Sequence, residues 1–184
     1  SLPLDPTSAL LAGDYLYTAA FSSLGSVSDT RTGDCFEILT TVLQTITEAF
    51  SRAYTSADSA DIDPPAFIDE TAGSLGVGAA VLGATLAGVD EPNRRHFERF
   101  GRGLGTSREV SLLLDAEPNE ALVTPPQLDK SQLRTHAQQR KDEADQALKA
   151  LAPRVDVATL RAFAKTGPSK RRGSNAGTND DTLN

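Results

Sequence analysis

The chain has 184 residues and a mass of 19.4 kDa, a length for one domain with or without a tail. A core of that size needs neither disulfides nor a structural metal, and the single Cys35 can build no internal bridge. With 25 acidic against 18 basic residues and a pI near 4.8, it has no general positive field for nucleic acid or anionic membranes.

Helical periodicity runs through most of the sequence and strand-like alternation is scarce, which predicts an all-α bundle of four to six helices over 1–165. Asp5-Pro6-Thr7 reads as a helix start, and the rhythm of Leu10, Leu11, Leu16, Tyr17, Ala20 and Phe21 carries that helix to Gly25. After a loop at 26–29, a second helix starts near Asp34, with Phe36, Leu39, Val42, Leu43, Ile46 and Ala49 on one side, and fades near Ser56. Residues 56–65 form an acidic linker ended by two prolines. Its Asp58, Asp61 and Asp63 lack the glycine and closing glutamate of a calcium loop, so a solvated loop is expected.

A third helix is predicted from about 65 to 88. Residues 72–89 carry no charge over 18 positions, the length of a membrane span, but ten of them are Ala or Gly and six are large apolar residues. Such a composition suits a buried helix that neighbours approach closely. Asp90-Glu91-Pro92 opens a fourth helix with acidic residues and proline where its N-terminus favours them. Phe97, Phe100, Leu104, Val110, Leu113 and Leu114 form its apolar side. Arg95, Arg99 and Arg102 share the opposite face, and a solvated surface is expected there rather than a nucleic-acid reader. A proline-containing loop at 117–126 precedes a charged amphipathic helix at about 130–152, stopped by Pro153. Asp156 caps a last short helix through Ala164, and 166–184 reads as a disordered polar tail.

Chemical signatures are few. Glycine-rich nucleotide loops and nucleophile turns are missing, and His96 and His136 read as surface residues of charged helices. Residues 1–93 hold 13 acidic and two basic side chains, Arg31 and Arg52, whereas 94–184 hold 12 acidic and 16 basic. No basic stretch followed by an apolar core opens the chain, so the cytoplasm is expected.

Several segments, taken in order, resemble one family. Leu10-Leu11-Ala12-Gly13-Asp14-Tyr15-Leu16, with Ala20-Phe21, is similar to the "A-x-L-A-G-D-x-L-x-x-x-A-F" helix of the trans-type polyprenyl diphosphate synthases. Glu70-Thr71-Ala72-Gly73-Ser74-Leu75 resembles that family's "K-T-A-x-L-F", Gly83-Ala84-Thr85-Leu86-Ala87-Gly88 its "G-A-x-x-A-G", and Phe100-Gly101-Arg102-Gly103-Leu104-Gly105 its "F-G-x-x-L-G".

The resemblance implies the isoprenoid synthase fold, truncated at its N-terminus. It also implies a chemistry in which Mg²⁺ held by two aspartate-rich motifs grips an allylic diphosphate while isopentenyl diphosphate attacks. Here the first motif would precede Ser1, and the second falls on Leu112 and Leu113, or on Ser111 and Leu112 with a one-residue gap. The diphosphate-binding lysine becomes Glu70, leaving Thr71 as the one substrate-binding position retained.

The expectation is therefore a polyprenyl-synthase-like protein, non-catalytic alone, working as a homo-oligomer or with an active prenyl synthase. It takes no cofactor unless an aspartate motif outside this chain brings Mg²⁺. It does not span a membrane and binds no nucleic acid. The alternatives are a fragment of an active prenyltransferase and a nucleic-acid-binding helical module.

Overall fold

The computed structural model describes residues 5–26, 30–55, 62–115 and 129–165. Every regular element among them is helical: α1 (Pro6–Gly25), α2 (Thr32–Thr55), α3 (Pro64–Ile68), a π-helical turn (Asp69–Gly73), α4 (Ser74–Leu86), α5 (Glu91–Asp115), α6 (Lys130–Leu151) and α7 (Ala158–Lys165). The all-α expectation is met. The loops expected at 27–29 and 117–126, the linker at 56–61 and the tail at 166–184 lie outside the described residues.

The helix ends follow local chemistry. Asp5 accepts from the Ser8 amide at 3.0 Å, Asp129 from the Ser131 and Gln132 amides at 2.8 and 3.3 Å, and Asp156 from the Ala158 amide at 2.9 Å. Each carboxylate satisfies N–H groups that have no partner within the helix. Pro64 and Pro65 occupy the first turn of α3, where a missing N–H costs nothing. Gly88, at φ 72°, closes α4 in the left-handed conformation, with its amide on the Thr85 carbonyl (3.0 Å) and the Val89 amide on the Ala84 carbonyl (2.9 Å).

The spine is α5, packed between α4 and α6. An ideal Cβ on Gly101 would lie 2.2 Å from the Gly76 carbonyl oxygen of α4, and one on Gly105 2.2 Å from that of Ala72. On the opposite face, a Cβ on Gly103 would lie 2.3 Å from the Arg140 carbonyl oxygen of α6. Glycines four apart thus seat α4, while the glycine between them, about half a turn round, seats α6. Backbones this close gain dispersion and Cα–H···O contacts that larger residues would prevent.

The small residues expected to let α4's neighbours approach do so. Ser74, Gly78, Ala84 and Thr85 are buried, whereas Leu75 is 59% exposed. The expected single helix from 65 to 88 is corrected: the π turn divides it, and it ends at Leu86.

Around the spine, Phe97, Phe100, Ala144, Ala147, Leu148 and Leu151 form the larger core, which Leu160 and Ala164 of α7 partly cover. Ile68, Val110 and Leu133 form a second core, with Leu113 and Leu114 against it. Helix α2 packs on α4 through Val42 beneath Gly78 and contributes buried Cys35 and Ala49. Helix α1 reaches α2 through the stacked rings of Phe21 and Phe36, 5.7 Å between centroids. Among the described residues no helix is long and apolar enough to cross a membrane.

Candidate functional site

The π turn holds the most charged point of the interior. Asp69 is 8% exposed. Its Oδ1 accepts from the Thr106 hydroxyl of α5 at 2.7 Å, and both carboxylate oxygens accept from Arg140 Nε of α6, at 3.2 and 3.0 Å. Arg140 Nη2 also donates to Oδ2, and Nη1 donates to Glu143 at 2.7 Å.

Three elements therefore converge on one carboxylate. Gly73 permits it, because a Cβ there would lie 2.8 Å from the Thr106 hydroxyl. The wider turn from Asp69 to Gly73 changes the register between α3 and α4, a feature often found at functional sites.

His136 Nε2 lies 3.1 Å from Asp69 Oδ2, is inaccessible to solvent, and is not aligned for a hydrogen bond. The expectation of two surface histidines is corrected for His136, which lies along the apolar stripe of α6 beside Ala137 and Arg140. Outside this cluster opens a cleft of about 540 Å³, lined by Asp63, Pro65, Ala66, Ser131, Thr135 and His136.

Burial pushes the Asp69 carboxyl up, but hydrogen bonds from Arg140 and Thr106, with the guanidinium charge, outweigh it, so its pKa is lowered. Asp69 in turn raises the Arg140 guanidinium, more than burial lowers it. A carboxylate with acceptor sites already filled and a depressed pKa is a poor general base at neutral pH. What the cluster does physically is tie the π turn to α6 through charge and to α5 through a hydrogen bond.

Because Asp69 ionises more readily folded than unfolded, its contribution is present above the unfolded value of about 4 and is lost as pH falls through the lower folded value. Urea unfolding between pH 6 and pH 3 is expected to show stability falling at the acid end. Asp69→Asn should flatten that fall, and an unchanged profile in the variant would contradict it.

The other predicted positions lie apart from this cluster. The Thr71 hydroxyl donates to the Phe67 carbonyl of its own helical segment at 2.7 Å. Glu70 is half-buried in the π turn and pairs with Arg52 of α2. Where the resemblance would put the second aspartate-rich motif, Leu112 is 49% exposed and Leu113 packs against the second core. These side chains offer Mg²⁺ no oxygen ligands, so the residues present do not fit that metal. Among the described residues no three His, Cys, Asp or Glu side chains are grouped to hold a metal ion.

The fold and the site define an all-α protein with a buried carboxylate–guanidinium lock. The chain matches no protein-family model, no curated protein and no solved structure.

Proposed function

We propose that this chain is a polyprenyl-synthase-like helical subunit of the cytoplasm, non-catalytic alone, which acts by associating with a second copy or with an active prenyl synthase. The observation that carries the reading is how two segments of the resemblance meet. Ala72 lies against Gly105, so one residue that each motif shares meets the other in a helix–helix seam, beside which Gly73 touches Arg102. The positions where substrate chemistry would sit are engaged otherwise, Glu70 with Arg52 and Thr71 with the Phe67 carbonyl.

Association is supported by apolar surface. Leu11, Tyr15 and Leu16 of α1 are 62%, 74% and 67% exposed, and Leu75 and Leu86 of α4 also face solvent. Exposed large apolar side chains on two helices are surface that a partner can cover.

Purified chain incubated with Mg²⁺, isopentenyl diphosphate and an allylic diphosphate is expected to yield no elongated product. Sedimentation should show a dimer or, with an active trans-polyprenyl diphosphate synthase added, a mixed complex. Product formation by the chain alone, or a monomer that ignores the synthase, would overturn the proposal.

A further inference from the structure

A second concavity lies between the N-terminal half of α5 and the C-terminal half of α6, with a volume of about 600 Å³. His96, Arg99 and Arg102 line it from α5, spaced three apart and so on one helical face, and Gln146 lines it from α6. Ala147 and Ala150 add only methyl groups to its lining, which leaves room between the helices.

The charges around it are unequally engaged. Glu143 is the one carboxylate in the lining, and it already accepts from Arg140, whose remaining nitrogens are on Asp69. Arg102 reaches Glu98 only at 3.5 Å, an exposed contact of little strength. Arg99 has no hydrogen-bond or ion-pair partner among the described residues. Two guanidinium groups therefore border a groove whose own carboxylate is occupied, in a chain whose net charge is −7. That overall charge disfavours an extended polyanion and leaves a small one as the ligand the local field can hold.

We infer that the α5–α6 groove binds a small phosphoanion, a phosphate or diphosphate group alone or on a small organic molecule, through Arg99 and Arg102. Guanidinium forks match phosphate oxygens in pairs, and the His96 and Gln146 side chains supply further N–H donors at the rim. The inference does not need the prenyl-synthase-like reading: the groove opens on the α6 side of α5, and although the Arg102 stem also touches Gly73 of the α4 seam, Arg99 lines the groove.

The test titrates inorganic phosphate and, separately, pyrophosphate into the full chain by calorimetry, with chloride holding ionic strength constant. Saturable binding is expected, weakened about tenfold or more by Arg99→Ala with Arg102→Ala, less by Arg99→Gln, and unchanged by Arg154→Ala outside the groove. Tighter binding of pyrophosphate than of phosphate would assign a diphosphate, and the reverse a single phosphate group. Absence of saturation, equal binding by the double variant with its helical circular dichroism intact, or displacement of phosphate by a single-stranded oligonucleotide would overturn it.

Discussion

Gly101→Ala is expected to destabilise the protein by about 3 kcal/mol, because the new methyl group would collide with backbone rather than with a movable side chain. Alanine's better helix propensity favours the substitution by about 1 kcal/mol. A Cβ 2.2 Å from the Gly76 carbonyl oxygen outweighs that, since relief requires α4 and α5 to separate along their whole seam. Gly76→Ala meets the Gly101 carbonyl oxygen at 2.0 Å and should behave alike. Thermal unfolding checks both, with a Tm lower by about 6–12 °C for a chain of this length. Gly83→Ala is the internal control. Nothing lies within 4 Å of its Cβ, and it should stabilise by about 0.5–1 kcal/mol. If Gly101→Ala and Gly83→Ala gave the same sign, the close packing of α4 on α5 would be wrong.

Arg140→Ala is expected to cost about 3–5 kcal/mol, since it leaves the Asp69 carboxylate buried with Thr106 as its remaining aligned donor. Most of that loss is the penalty of an uncompensated charge rather than the net value of the pair. Asp69→Asn in the Arg140→Ala background should therefore recover part of it, with a coupling of about 1–3 kcal/mol between the two positions. Denaturant unfolding of the four proteins in the cycle measures this directly. Additive effects would mean that the lock contributes no coupling, and that packing alone joins the π turn to α6.

The helix ends were legible because their signals are local. Pro6 and Asp156 act within four residues of themselves, and each stands where its chemistry requires. The close approach to α4 was legible too, since its glycines and alanines have few other uses in a helix.

The π turn was not, because one extra residue per turn leaves the hydrophobic rhythm on either side almost unchanged. Nor was the lock, whose partners Asp69 and Arg140 lie 71 positions apart and meet only after α5 has brought α6 onto α3. A signal was present in α6. Leu133, Ala137, Ala144, Leu148 and Leu151 mark its buried stripe, and Arg140 occupies a position of that stripe. A charge there requires a buried partner. Read as an ordinary amphipathic charged helix, α6 concealed both Arg140 and His136.

The same distinction separates the two halves of the charge distribution. Between them Asp69, from the acidic half, and Arg140, from the basic half, make the central contact of the interior. Arg52, one of two cations in the first 93 residues, is committed to Glu70. The charged side chains of the π turn thus hold helices to one another.

Co-purification of the tagged full chain with a full-length trans-polyprenyl diphosphate synthase from the same source, followed by mass measurement and product analysis, tests the association model most directly. The expected result is a complex of defined stoichiometry whose product lengths differ from those of the synthase alone. A chain that forms no complex and leaves product length unchanged, or that makes prenyl product unaided, would contradict it.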